Sequence, residues 1–280
     1  MPRPVRERVS NYPLSNMNNI NLKSIWQQGG AVINGWCAIP SSWSAELMGR
    51  AGFDSVTLDL QHGLINYDTA IPMLQALSTT GTVPLARVPW NEPGIIMKML
   101  DAGAQGIICP MINTREECER FVGACRYFPG GYRSFGPTRA GLINKDYYAT
   151  ANTSILTLAM IETETAINNL EEILSVPGLD AVYIGPADLA ITLGSAPKTV
   201  YDAADIKLNT ALDTIVAGCK KHGIVPGMHC AGATHAKAMI ARGLQFTTLL
   251  SDSAYLSNAI NSAVKEARGE AAPSVAKGPY

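Results

Sequence analysis

Short apolar runs rich in β-branched residues alternate along the chain with segments whose apolar residues recur at helical spacing. The first run is Ala31 to Ile39, and Ser41 or Ser42 is placed to cap a helix through Arg50. Ser55 to Leu60 follows, then a helix around Thr69 to Leu77. Val83 to Val88 comes next, with Pro93 suited to the first turn of a helix that reaches Ala102. Gly106 to Met111 precedes a helix from Thr114 to about Arg126, after which Phe128 to Asn144 is irregular and rich in glycine and aromatics. Ile155 to Ile161 leads into a helix from Glu164 to Leu174. Ala181 to Ile184 is followed by a short helix near Ala187 and a longer one from about Ala203 to Lys221. Ile224 to His229 and Phe246 to Leu250 complete the series, each with a helix after it.

Eight strand–helix units in about 250 residues predict a closed (β/α)8 TIM barrel. A doubly wound open sheet uses the same units, but no GxGxxG or GxxxxGK[ST] follows the first strand, which disfavours its nucleotide-binding form. The pattern predicts one barrel domain over residues 25–280 after an N-terminal extension of residues 1–24.

Composition narrows the function classes. The 280 residues carry 22 Lys+Arg against 23 Asp+Glu, and 47% are hydrophobic, so the chain can bury a sizeable core. A net charge of -1 gives no electrostatic footprint for a nucleic acid or an anionic membrane. Apolar runs such as Gly106 to Met111 are too short to span a bilayer, and the N-terminus (Pro2, Arg3, Pro4, Arg6, Arg8) lacks a signal peptide's apolar core. Six cysteines without a CxxC pair read as reduced thiols of a cytoplasmic protein.

In such a barrel the chemistry sits at the carboxyl ends of the strands. There the chain places Leu58-Asp59-Leu60-Gln61-His62-Gly63, Ala86-Arg87-Val88-Pro89, Met160-Ile161-Glu162-Thr163 and Gly185-Pro186-Ala187-Asp188. Each has an ordinary reading: His62 as a capped surface histidine, Arg87 as a salt-bridge partner, Glu162 as a helix N-cap, Asp188 as part of a helix start. Their joint placement at one end points to chemistry. Glu162 and Asp188, from adjacent strands, make a hard-cation site. Arg87 offers a permanently charged fork for a carboxylate or enolate oxygen, and His62 is a suitable general base. Trp36, ending the first strand, is a pocket wall or a core tryptophan. His222 in Lys220-Lys221-His222-Gly223 reads as a helix C-terminus, and His229, Cys230 and His235 as structural.

The ordered motifs LDLQHG, PLARVPWNEP, MLDAGAQGIICPM, YFPGGYRSFGP, MIETETA and GLDAVYIGPADLA resemble the HpcH/HpaI family of class II pyruvate-dependent aldolases. The similarity runs from about Gly35 to Gly278-Pro279-Tyr280. It implies a barrel of the phosphoenolpyruvate/pyruvate type, assembled as a homohexamer of dimers that exchange their last helix. It implies cleavage or formation of 4-hydroxy-2-oxo acids, giving pyruvate and an aldehyde through a metal-bound pyruvate enolate. By motif, His62 is the catalytic base and Arg87 binds pyruvate and stabilises the enolate. Glu162 and Asp188 hold Mg²⁺, Mn²⁺ or Co²⁺, and the backbone at Ala187 takes the pyruvate carboxylate. Asp101, in MLDAG, matches an acid that raises the histidine's basicity. Yet it falls near the end of a helix running away from His62, so either that helix begins late, or it acts in a neighbouring subunit, or it is an ordinary solvated helix-end acid.

The chain departs from the pattern at Gln61, where many members have Glu, at Met160, where many have a glutamine that bonds the keto acid, and at Ser134, where several have glycine. Arg133 and Arg139 are either ligands for a distal carboxylate or phosphate, or structural loop residues. No strand-end lysine is available for a Schiff base. Two rival readings stand: an oxaloacetate decarboxylase or macrophomate synthase-like enolate enzyme, and a non-catalytic keto-acid-binding barrel. A citrate-lyase-like reading lacks a basic site for the nucleotide phosphates of CoA.

Overall fold

Side chains along each strand alternate between two dry interiors, one inside a ring of strands and one between that ring and its helices. Val32, Leu85, Ile108, Leu158, Tyr183 and Phe246 belong to the inner cluster, whereas Val56, Leu58, Ile107, Ile161 and Ile184 belong to the outer one. Burial on both faces is why the strands read as nearly continuous apolar runs.

The computed structural model describes residues 20–197 and 205–270. Eight parallel strands close in sequence order: β1 (Val32–Cys37), β2 (Ser55–Asp59), β3 (Val83–Arg87), β4 (Gly106–Cys109), β5 (Leu156–Ile161), β6 (Ala181–Ile184), β7 (Val225–His229) and β8 (Phe246–Ser251). Helices α1 (Leu22–Gln27), α2 (Ser42–Arg50), α3 (Tyr67–Leu77), α4 (Pro93–Asp101), α5 (Arg115–Cys125), α6 (Ala140–Ile143) and α7 (Tyr147–Ser154) precede β5. After it come α8 (Glu164–Asn168), α9 (Leu170–Leu174), α10 (Pro186–Thr192), α11 (Ile206–His222), α12 (Ala233–Arg242) and α13 (Asp252–Ala267). The predicted (β/α)8 barrel is therefore the observed one.

The expected helix boundaries hold where local chemistry fixes them. Ser41 caps α2, Thr114 and Glu117 form a capping box on α5, and Pro93 opens α4 with the Glu92 carboxylate on the amides of Gly94 and Ile95. Gly223, at φ 72, ends α11 in the left-handed conformation, and His222 bonds Glu171 nearby.

Four readings change. The helix expected over Glu164 to Leu174 divides into α8 and α9 at Asn169, whose side chain leaves the surface to bond the Asn113 carbonyl. The irregular stretch contains α6, built on contacts of Arg139 with the carbonyls of Leu74 and Ala102 at the ends of α3 and α4. Tyr147 opens α7 shortly after it and is buried under Arg133. Finally, α1 lies ahead of the first strand, with Trp26 edge-on to Phe246 at 6.2 Å and its indole N–H on the Gln245 carbonyl, closing the barrel's N-terminal end. Residues 1–19 of the predicted extension, Ala203 and Gly278-Pro279-Tyr280 lie outside the described residues.

All six cysteines are buried thiols, none in a disulfide. Among the described residues, no helix is long and apolar enough to cross a membrane.

Candidate active site

On β1, β2, β3, β6 and β7 the inward phase ends in a polar or aromatic side chain. Asn34 and Trp36 on β1, Thr57 and Asp59 on β2, Leu85 and Arg87 on β3, Leu158 and Met160 on β5, and Gly227 and His229 on β7 are successive inward positions. Glu162 continues the β5 phase one step beyond the strand, and Gly185 does the same above Tyr183 on β6. A cavity of about 50 Å³ at this end is lined by Trp36, His62, Arg87, Glu162, Asp188 and His229, with Met160, Tyr183 and Gly185 to Ala187 between them. A larger cavity, about 720 Å³, lies at the other end between α1, α3 and α6, and none of these strand-end side chains reaches it. The small one is the candidate site.

Asp59 and Arg87 face each other across β2 and β3 and form a buried two-point pair: Nε to Oδ1 at 2.8 Å and Nη2 to Oδ2 at 2.7 Å. Asp59 also accepts the Trp36 indole N–H at 3.2 Å and the amides of Gln61 and His62. Burial raises its pKa, but Arg87 and the amides of His62 and Gln61 outweigh that and hold it below the ordinary carboxylate range. The guanidinium lies 4.8 Å from the centre of the Trp36 ring. Its Nη1 makes no hydrogen bond to a described residue, so a cation is held rigidly with one donor edge to spare. The sequence reading named Arg87 but gave Asp59 no role. Its signal is register: an acid directly opposite an arginine at the last inward pair of adjacent strands.

Glu162 is buried. Its Oε1 accepts the Met111 amide at 2.8 Å, and Met111 adopts φ 56 just beyond β4 to present that N–H. Nothing in the sequence around Met111 announces this contact. Burial first, and then Asp188, push the Glu162 carboxyl up to about 7, against the lowering effects of Met111 and Arg87. Oε2 receives no hydrogen bond from a described residue, nor does the exposed Asp188 carboxylate. A Cβ at Gly185 would lie 2.3 Å from Oε2, so glycine is needed there for space. The helix N-cap is Thr163, not Glu162, which leaves the carboxylate free for the cavity. Two acceptor-only groups over one cavity fit a hard cation, which takes one or two protein carboxylates and fills its other positions with water or ligand oxygens.

His62 is exposed on the loop after β2, beside the cavity. A Cβ at Gly63 would meet the Asp59 carbonyl at 2.3 Å, so this glycine lets the loop fold tightly over the strand end. Met160 is buried with its thioether toward the cavity, and Ala187 lines it from the first turn of α10. Trp36 proves to be both wall and ligand of Asp59.

Asp101 does not join them. It ends α4, which starts at the top of β3 and runs back toward the other end, and it bonds Arg133 at 2.6 Å. Arg133 is buried between Tyr127 and Tyr147, and Arg139 binds helix-end carbonyls, so neither faces the cavity. Of the residues read as structural, His235 takes the Ala231 amide and Cys230 faces the outer core, whereas His229 stands on the cavity wall.

The profile of the HpcH/HpaI aldolase/citrate lyase family matches residues 36–259. The chain is 39% identical to the hydroxypyruvate/pyruvate aldolase of Rhizorhabdus wittichii, over 90% of this chain and 99% of that one. It is 34% identical to the 4-hydroxy-2-oxo-heptane-1,7-dioate aldolase of Escherichia coli, over 85% and 91%. Among solved structures, an HpcH/HpaI aldolase/citrate lyase family protein from Burkholderia cenocepacia superposes with a TM-score of 0.82 at 26% identity, covering 90% of this chain and all of the other.

Proposed function

The chain belongs to the HpcH/HpaI aldolase/citrate lyase family and is a carbon–carbon lyase, and on that premise we propose a divalent-metal-dependent aldolase that cleaves 4-hydroxy-2-oxo acids to pyruvate and an aldehyde. The observation that carries the proposal is the pairing of the Glu162 and Asp188 carboxylates, Glu162 with Oε2 open, with a locked guanidinium, Arg87, over one cavity.

Glu162 and Asp188 would hold Mg²⁺, Mn²⁺ or Co²⁺, which would supply Lewis-acid chemistry when bound. The protein's own groups do the rest. His62, through a water, takes the proton of the 4-hydroxyl. The C3–C4 bond breaks, the aldehyde departs, and the electron pair passes to the 2-oxo oxygen as pyruvate enolate. Arg87 Nη1 faces that developing charge, and Asp59 and Trp36 keep the guanidinium from turning away. The backbone at Ala187 receives the carboxylate. The proton held by His62 returns to C3, giving pyruvate. Met160 adds shape and no hydrogen bond, so orientation of the keto acid rests on these groups.

Asp101, in this proposal, works on the cavity of a neighbouring subunit. Leu256, Ile260 and Val264 on α13 are exposed apolar residues that association of subunits, as a hexamer, would cover.

The test is pyruvate release from 4-hydroxy-2-oxopentanoate and 4-hydroxy-2-oxoheptanedioate after EDTA treatment, with Mg²⁺ or Mn²⁺ then restored. Release that stops with EDTA and returns with metal is expected. Release that ignores EDTA contradicts the proposal, and CO₂ release from oxaloacetate alone replaces aldol cleavage with decarboxylation. Gly185→Ala gives a sharper check. The new methyl would fall on Glu162 Oε2 and press on Glu162 Cβ at 3.1 Å and Met160 Cε at 3.2 Å, so the carboxylate must leave its place and kcat should fall about 100-fold, the scale of a 1 Å misplacement in a site.

A further inference from the structure

Among the described residues, the Met111 amide is the one hydrogen-bond donor to the Glu162 carboxylate. Met111 offers it from φ 56, a backbone conformation that a residue with a branched or long side chain keeps only when its surroundings hold it there. Asn113 supplies the hold. Its Nδ2 donates to the Met111 carbonyl at 2.9 Å, closing the turn on the far side of the strained residue.

The other end of the same amide is tied to β5. A carbonyl only accepts, so Nδ2 must face Met111, and Asn113 Oδ1 is left for Thr163. The Thr163 hydroxyl accepts the Ala166 amide at 3.0 Å and gives its own proton to Asn113 Oδ1. Thr163 directly follows Glu162, so one side chain joins the turn that presents the Met111 amide to the backbone that carries the carboxylate. The main chain of Asn113 has separate work. Its N–H meets Glu117 Oε2 at 2.7 Å at the start of α5, and its carbonyl accepts Asn169 Nδ2 at 2.8 Å. Ile112, between Met111 and Asn113, is buried in the outer core. The capping box on α5 is made by Thr114 and Glu117 and does not use the Asn113 side chain.

We propose that Asn113 is the positioning residue of Glu162. It keeps Met111 in the left-handed conformation, Met111 fixes Oε1, and Oε2 stays beside Gly185 on the cavity wall. What Oε2 then binds rests on the metal reading above; the positioning itself does not.

Two readouts keep the two apart. In EDTA-treated protein labelled with nitrogen-15 methionine, exchange of the Met111 amide for deuterium should be about 10-fold faster in Asn113→Ala than in wild type, the scale of one lost hydrogen bond. Asn113→Asp is the same size and serves if the alanine variant does not fold. At pH 8 its carboxylate still accepts from Thr163 but has no proton for the Met111 carbonyl, so exchange should be faster there too. The dissociation constant for Mn²⁺ should rise about 10- to 100-fold in Asn113→Ala, as for loss of a group that orients a metal ligand. Adding Met111→Gly should recover most of that affinity, because glycine holds a positive φ without steric cost. A role confined to folding would gain nothing from the glycine. A Met111 amide that exchanges within threefold of wild type in a folded variant overturns the inference, as does lost Mn²⁺ affinity that Met111→Gly leaves unrecovered. Wild type that binds no Mn²⁺, with exchange still faster in the variants, overturns the metal reading and leaves Asn113 as the residue that positions Glu162.

Discussion

Glu162→Gln is expected to reduce metal-dependent pyruvate release at least 1,000-fold and yet to make the EDTA-treated protein more stable at pH 8. The two effects have one cause. Burial and Asp188 push the free Glu162 carboxyl up to about 7, so the folded protein holds a proton there that the unfolded chain releases near 4.5. Its stabilising contribution is complete below about pH 4.5 and is lost as pH rises through about 7. A shift of this size corresponds to about 3 kcal/mol, which the metal-free wild type forfeits at pH 8 and the neutral glutamine does not. Chemical unfolding of both proteins in EDTA at pH 5 and pH 8 measures it. The stability difference should widen in favour of the variant between the two values. Catalysis should move the other way, because an amide oxygen carries no full charge for the proposed cation.

The second large effect is expected at Asp59. In Asp59→Asn an amide nitrogen or a neutral oxygen meets the Nε and Nη2 donors of Arg87, and a buried guanidinium loses its counter-charge. Losing one partner of a buried pair costs about 3–5 kcal/mol. For a domain of this size, that is on the order of a 10 °C fall in melting temperature. The freed arginine leaves the geometry proposed to face the enolate, so kcat/KM should fall at least 100-fold. Arg87→Met added to Asp59→Asn removes the stranded charge. The double variant should melt closer to wild type and remain inactive. Should the double variant regain activity, Arg87 would have no part in charge stabilisation.

The barrel was legible because its strands repeat at regular intervals and its helices carry strong start and stop residues. Legibility failed where a side chain left its local role for a distant partner, as Asn169 does in dividing α8 from α9 and Arg139 in building α6. At the site, His62, Arg87, Glu162 and Asp188 stand at strand ends that the alternation alone could locate. Asp59 was overlooked because its function is register, an acid set opposite Arg87, and register is a property of two strands together. The Met111 amide is invisible to side-chain reasoning, since only the backbone conformation makes it a ligand of Glu162. His229 carries the right phase on β7, but its bond to Tyr183, and through it to Thr248 and Asn34, emerges only in the fold.

The most direct measurement is exchange of the pyruvate methyl protons for deuterium, followed by proton NMR in D₂O with no aldehyde present. Enolate formation at this site predicts exchange that needs Mg²⁺ or Mn²⁺ and falls at least 100-fold in Glu162→Gln and in Arg87→Met. Exchange that persists in EDTA, or in both variants, would contradict the account, because the enolate would then owe nothing to the carboxylate pair or to the locked arginine.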